Sequence, residues 1–281
     1  MIYRGRIAPT PTGHLHLGHA ATFFQAHHRA REAGGEIFLR IEDLDPLRCK
    51  EEFSRDAMED LRWLGLDWDG EAVIQSTRRG LFLNSWKKLR DAGFIYPCRR
   101  SRREISTLAP HEEEPVFPIA WRSPVEDARS FTDPAGVNWR FKVPDSRKVH
   151  FTDGYFGDVS KTTLTDFWDF LVWNRDDIPS YELAVVVDDI AMGITEVVRG
   201  ADLLTSTARQ ILLYEALGAE SPSWYHCPLV CDSQGNRLAK RTGGLGIRDL
   251  RAQGKTPAQI LEMAAAMQGR FFPPGKETQS A

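Results

Sequence analysis

The stretch Arg6 to His19, RIAPTPTGHLHLGH, gathers three histidines and two glycines where an apolar strand pattern gives way to a helical one. Pro9, Pro11 and Gly13 forbid regular structure between the two. His16, Gly18 and His19 therefore fall at a helix start, where unpaired backbone N–H groups and the positive end of the helix dipole favour an anion. Gly18 lets a ligand approach the backbone closely, and the two imidazoles add donors. These residue types at this spacing suit the phosphates of ATP. A second cationic element lies far along the chain, in the glycine-flanked loop GNRLAKRTGGLG from Gly235 to Gly246, where Arg237 and Arg241 flank Lys240. Taken alone the loop reads as a solvated basic segment. Paired with the first site it can clamp a triphosphate from the opposite side, and nucleotidyl transfer requires positioning and charge rather than a covalent nucleophile. The acidic corner Glu42-Asp43-Leu44-Asp45-Pro46 adds a carboxylate able to meet an amine at Glu42, while Asp45 ahead of Pro46 reads equally well as a cap for the next helix.

These groups need a scaffold that brings them together. Arg4 to Ala8 reads as a strand, Ala20 to Ala33 as a helix and Glu36 to Ile41, EIFLRI, as a buried strand, which is the opening of a parallel α/β sheet. Ligands of such sheets collect at the carboxyl ends of the strands, so Arg6 to Thr10 and Arg40 to Asp45 are expected to face one crevice. Glu51 to Leu64 and Thr77 to Ala92 are amphipathic helices, the second stopping at Gly93. Residues 96–150 change character. A basic run (Arg99, Arg100, Arg102, Arg103) precedes the acidic, proline-rich loop HEEEPVFP, and VNWRFKVP and KVHFTDGYFGDV read as short antiparallel strands of an inserted subdomain. The arginines fit either a solvated helix start or contacts to a phosphate backbone.

The chain then returns to the main sheet. Asp169 to Trp173 and the apolar run Leu183 to Val187 are expected strands, the latter covered on both faces with Asp188 and Asp189 at its carboxyl end. Ile194 to Arg199 is a further strand, ending at the crevice in Arg199-Gly200, and Ala201 to Leu217 is a helix that stops at Gly218. Thr256-Pro257-Ala258-Gln259 opens a last helix with a capping box. The expected division is 1–95 and 151–218 as two halves of a Rossmann-type catalytic domain, 96–150 as a small α+β insertion, and 219–281 as a short helical C-terminal segment.

Bulk properties narrow the class. The 281 residues, 42% hydrophobic and 27% charged, suit a soluble globular protein. With 36 basic against 39 acidic side chains the formal charge is −3, which announces no nucleic-acid partner yet leaves room for a local basic patch. Cys49, Cys98, Cys227 and Cys231 are too few and scattered for a disulfide framework, and no signal peptide or long apolar span stands out; a cytoplasmic protein with no membrane partner is expected. His226, Cys227 and Cys231 invite a zinc reading, but the other half of a ligand set is missing and buried thiols explain the cysteines. No Gly-x-Ser-x-Gly, catalytic Cys-His arrangement or P-loop occurs.

Taken together, HLGH at 16–19 and RLAKR at 237–241 resemble the two signatures of class I aminoacyl-tRNA synthetases. RIAPTPTGHLHLGHA, RIEDLDP, SYELAVVVDD and EVVRGADLLTSTARQ resemble the glutamyl branch more narrowly. The resemblance implies that His16, Gly18, His19, Arg237 and Lys240 bind ATP, taken with Mg2+, and that His16, His19 and Lys240 serve catalysis. It places L-glutamate on Arg6, Ile7, Ala8, Pro9, Thr10, Glu42, Tyr181 and Arg199. The chemistry agrees: a guanidinium binds a carboxylate bidentately, and an anion meets the ammonium. The short segment after the second signature, with no anticodon-binding region, is closest to the subfamily that activates glutamate without tRNA and attaches it to queuosine in the anticodon loop of tRNA(Asp). A monomer is expected. A truncated synthetase charging a tRNA 3′ end and a noncatalytic binding paralogue are the alternatives.

Two departures from the family pattern stand out. Its zinc site is built from a Cys-x-Cys pair, a tyrosine and a further cysteine. Here Cys98 remains, while Arg100, Phe117 and Trp121 occupy the other positions, so zinc is expected to be absent. In the second signature Ala239 replaces a serine and Arg237 a lysine, which removes a hydroxyl but no charge.

Overall fold

The computed structural model describes residues 2–100, 104, 116–229 and 246–267. It begins as the sequence reads. β1 (Arg4–Ile7) runs through the proline-rich segment into α1 (Leu17–Glu32), and β2 (Glu36–Ile41) returns parallel to β1 with Arg6 level with Phe38. α2 (Glu51–Trp63) crosses over to the short β3 (Val73–Ile74), parallel to β2. Parallel pairing requires such crossovers, and the apolar stripes of the helices cover the sheet. Ala20, Phe23, Ala26 and Ala30 of α1 are buried in one core with Ile7, Ile37, Leu39 and Ile41.

A second sheet has the order β7 (Gly157–Thr162), β6 (Lys148–Asp153), β10 (Ser223–Cys227), β9 (Glu196–Gly200). β10 is parallel to both β9 and β6, while β6 and β7 form a hairpin. The two sheets meet beside β1, where Thr195 N–H donates to the Arg4 carbonyl at 2.9 Å and Arg4 N–H donates to Thr195 Oγ1 at 2.8 Å. The carboxyl ends of β1 and β9 therefore lie side by side, the switch point at which α/β sheets open a crevice.

The remaining strands, β4 (Ile95–Cys98), β5 (Asn138–Phe141) and β8 (Phe170–Trp173), form an antiparallel sheet. Two expectations change here. The KVHFTDGYFGDV hairpin is not part of the insertion sheet but extends the sheet of β9 and β10, and β8 joins β4 and β5 instead of the main sheet. Alternation and apolarity mark a strand but not its partners. α3 (Arg79–Asp91) and the short α4 (Val125–Arg129) pack against β4.

The larger correction is at Leu183 to Val187. The run is helical, within α5 (Tyr181–Met192), which Gly193 ends at φ 65°. Asp188 and Asp189 thus lie inside a helix and not at a strand end. An unbroken apolar run fits a buried helix as well as a buried strand, and every residue from Glu182 to Asp189 is buried. α6 (Leu204–Leu217) follows a short 3-10 turn and stops at Gly218, φ 70°. α7 (Ile247–Ala252) is tied to α2 by Arg248, 3.2 Å from Asp60 and 3.1 Å from Glu59. α8 (Pro257–Met267) opens with the expected capping box: Gln259 N–H donates to Thr256 Oγ1 and Thr256 N–H to Gln259 Oε1. Among the described residues no helix is long and apolar enough to cross a membrane.

Candidate active site

His16 is the N-cap of α1, and the helix start is closed by a reciprocal pair of histidines. Gly18 N–H donates to Nδ1 of His16 at 3.1 Å, and His16 N–H donates to Nδ1 of His19 at 3.2 Å. A nitrogen that accepts carries no proton, so each ring is in the tautomer whose Nε2 bears the hydrogen. The rings stack with centroids 3.8 Å apart. Two imidazole N–H donors are thereby fixed beside the positive end of a helix. Gly18 has a further role: a methyl group there would lie 3.0 Å from Cε1 of His16, pressing on the ring that caps the helix.

The loop after β1 and the ends of β2 and β9 enclose a cavity of about 420 Å³. Arg6, Ala8, Pro9, Thr10, His16, Gly18, His19, Glu42, Tyr181 and Arg199 all line it. Ile7 does not. It points the other way along the strand, fully buried in the core with Ile37 and Leu39. Asp45 accepts from Leu47 and Arg48 N–H, so it caps a turn, and it is not among the residues that line the cavity.

Arg199 is buried, and its hydrogen bonds go to neutral groups. Nη1 donates to Gln210 Oε1 at 2.8 Å and, more distantly, to Tyr181 Oη at 3.4 Å. Nη2 donates to Thr207 Oγ1 at 2.7 Å and to the Leu203 carbonyl at 3.5 Å. Each terminal nitrogen keeps one weakly satisfied N–H, the arrangement a bidentate carboxylate exploits. Arg6 donates through Nη1 to the Val198 carbonyl at 2.9 Å and stands 3.5 Å from Asp189.

Glu42 provides the opposite sign. Its Oε1 accepts from Nε and Nη2 of Arg40, while Oε2 lies 3.4 Å from Thr10 Oγ1 on the cavity side. Arg40 is wholly buried. Burial opposes its charge, yet Asp189, Glu42 and Asp188 outweigh that cost and hold its proton above the ordinary range for arginine.

The sequence reading missed Asp202, Thr12, Thr22 and Leu203, which also line the cavity. Asp202 had a signal in the run Arg199-Gly200-Ala201-Asp202: a side chain at Gly200 would come within 2.5 Å of the Asp202 carboxylate, so the glycine makes room for it. Arg237 and Lys240 lie outside the described residues, as does Cys231. The segment that carries them leaves from Leu229, on the cavity wall, and re-enters at Gly246, bridged to His16 with Ile247 N–H on the Leu15 carbonyl at 2.9 Å. Around Cys98, the positions of the family zinc site hold buried Phe117, with the Arg140 guanidinium 4.3 Å over its ring, and Trp121, 4.7 Å from that of Arg100. Among the described residues no cluster of three His, Cys, Asp or Glu side chains suits a metal ion.

Comparison with known proteins identifies the family. Residues 3–278 match the catalytic domain of the class I tRNA synthetases (E and Q). A glutamyl-Q tRNA(Asp) synthetase of Rhodopirellula baltica is 41% identical, over 94% of this chain and 84% of its own. Another, of Nitratidesulfovibrio vulgaris, is 43% identical over 96% and 88%. A solved glutamate tRNA ligase from Elizabethkingia meningosepticum, in complex with its amino acid, superposes with a TM-score of 0.74 at 28% identity over 91% of this chain. The chain spans about half of that structure's length, 54%. A cavity built from a histidine-capped helix, paired arginines and Glu42, on this fold and with these relatives, places the chain in the class I tRNA synthetase family of the E and Q type, on the branch of the glutamyl-Q tRNA(Asp) synthetases.

Proposed function

We propose that the chain is an ATP-dependent ligase that activates L-glutamate as glutamyl-adenylate without tRNA and transfers it to queuosine in tRNA(Asp). The observation that carries the amino-acid assignment is Arg199, a buried guanidinium whose hydrogen-bond partners among the described residues are neutral, in a cavity that also presents Glu42. Arg199 and Arg6 receive the glutamate side-chain carboxylate, and Glu42 with Thr10 and Tyr181 receives its ammonium. ATP, taken with its Mg2+, lies with its phosphates along the N-terminus of α1, where Nε2–H of His16 and His19 meets them; Lys240 and Arg237, outside the described residues, add positive charge for the same phosphates. An α-carboxylate oxygen then bonds to the α-phosphorus as the bond to pyrophosphate breaks, and the cations stabilise the charge that develops. A hydroxyl of queuosine later attacks the activated carbonyl and AMP leaves. The names of the relatives support this acceptor. The protein works as a cytoplasmic monomer.

The test is glutamate-dependent ATP–pyrophosphate exchange by the purified chain, without and with tRNA, followed by transfer of labelled glutamate to tRNA(Asp) with or without queuosine. Exchange without tRNA and queuosine-dependent transfer are expected. Charging that persists without queuosine would identify a synthetase acting on a tRNA 3′ end. Binding of glutamate or tRNA with no exchange under any condition would identify a noncatalytic paralogue.

A further inference from the structure

Arg199 is held in place by a line of side chains laid across three neighbouring strands. β9 and β10 pair so that His226 stands level with Arg199, and β10 pairs in turn with β6, which ends in Asp153. All three side chains are buried, Asp153 and His226 more fully than Arg199. Nδ1 of His226 is 2.6 Å from Asp153 Oδ2, and Nε2 is 3.2 Å from Nε of Arg199. An ionised carboxylate only accepts, so the ring proton lies on Nδ1 and Nε2 presents a lone pair to the Arg199 N–H. The Thr207 hydroxyl completes the set, accepting from Nη2 of Arg199 and lying 2.9 Å from the same Nε2. Asp153 is itself fixed by backbone N–H groups of Tyr155, Phe156 and His226.

We propose that Asp153 and His226 are positioning residues for glutamate recognition: Asp153 holds His226 in the tautomer whose Nε2 accepts from Arg199, and this orients the guanidinium toward the substrate carboxylate without neutralising it. The arrangement solves a conflict. A carboxylate bonded directly to Arg199 would fix it equally well but would compete with the ligand for its charge. The neutral imidazole passes on orientation while keeping the counter-charge one ring away. The other tautomer would set an Nε2–H against the Arg199 N–H, two donors face to face. This inference rests on the assignment of Arg199 to the glutamate carboxylate.

The experiment measures KM for glutamate and for ATP in pyrophosphate exchange, with a thermal melt, for Asp153→Asn, His226→Leu, His226→Gln, the Asp153→Asn/His226→Gln pair and Arg199→Ala. Asp153→Asn keeps the shape but offers an amide donor to Nδ1, which frees the wrong tautomer; it and His226→Leu raise the glutamate KM about tenfold or more, with the ATP KM within about twofold. His226→Gln, whose side-chain oxygen still accepts from Arg199, stays within about threefold of the parent. Asp153→Asn then adds nothing further in the His226→Gln background, because the tautomer it controls is gone. A purely structural role of Asp153 gives the same loss in both backgrounds, and that outcome overturns the proposal. So does a parallel rise of both KM values that tracks the melting temperature. If Arg199→Ala weakens glutamate use while Asp153→Asn does not, this inference alone fails. If Arg199→Ala leaves the glutamate KM unchanged, the carboxylate assignment itself fails. Should His226→Leu not fold, the Asp153→Asn comparison in the two backgrounds still decides.

Discussion

Two buried arginines, Arg199 on the cavity wall and Arg40 bonded to Glu42, are treated in opposite ways. Arg40, 0% exposed, is surrounded by the carboxylates of Glu42, Asp188 and Asp189. Arg199, 5% exposed, is held by an amide, hydroxyls, a carbonyl and an imidazole. The first has its charge neutralised inside the protein and serves to fix Glu42 and to bind α5 to β2. The second has no carboxylate among these hydrogen-bond partners, which under the proposed function leaves its charge to a ligand. Burial alone therefore does not distinguish a structural ion from a binding one; the charge of the partners does.

The largest effect that tests this contrast is on stability. Replacing Arg40 by Met removes the partner of Glu42 and Asp189 and is expected to cost about 3–5 kcal/mol, read as a shift of the denaturant midpoint. Arg199→Ala strands no carboxylate, so the same measurement should show a much smaller loss. Glutamate-dependent exchange should instead fall by about a hundredfold or more, the worth of a bidentate charged contact. Equal destabilisation by the two variants would abolish the distinction.

Smaller effects sharpen it. Gly18→Ala forces a methyl group to 3.0 Å from the His16 ring. A rise of about tenfold in the ATP KM is expected, with the glutamate KM little changed, since the capping histidines and the arginine pocket are separate parts of one cavity. A glutamate effect as large as the ATP effect would contradict that separation. The smallest effect is a pH dependence. Burial lowers the pKa of His226 from its usual 6.5, despite the opposing hydrogen bond from its ring to Asp153. The unfolded chain then binds more protons than the folded one just below pH 6.5, so stability falls as pH drops through that window. Burial also raises the Asp153 carboxyl, but bonds from His226 and from Phe156 and Tyr155 N–H outweigh it and leave its pKa below the usual 3.8. Its contribution is present above that value and is lost only at lower pH. Melts between pH 7 and 5 should thus show a loss that His226→Gln reduces.

Much of the site is legible in the sequence because its first wall is local. Pro9, Pro11, Gly13 and the histidines lie within one strand–loop–helix unit, and the chain has little freedom to place them otherwise. Arg199 is the penultimate residue of a strand that its β-branched run and the glycine at its end mark clearly. The reading failed where periodicity is silent. Leu183 to Val187 is apolar at every position, so neither a two-residue nor a 3.6-residue repeat shows, and the helix followed from the packing around it. His226 was set aside as a zinc ligand but received no other role, because nothing near it in the chain reveals that Asp153 and Arg199 flank it.

The sequence by itself determined the capped helix start, the strands that lead to the cavity and the stock of charges available to it. These depend on residues a few positions apart, where backbone geometry leaves few choices. Tertiary structure alone decided which arginine is neutralised and which is held ready. Arg40 meets Asp189 from a helix far along the chain, and Arg199 meets His226 and, through it, Asp153 because β9, β10 and β6 lie in that order. Such pairings arise only when distant strands and helices close into register, and the electrostatics of a buried charge is set by the neighbours that closure supplies.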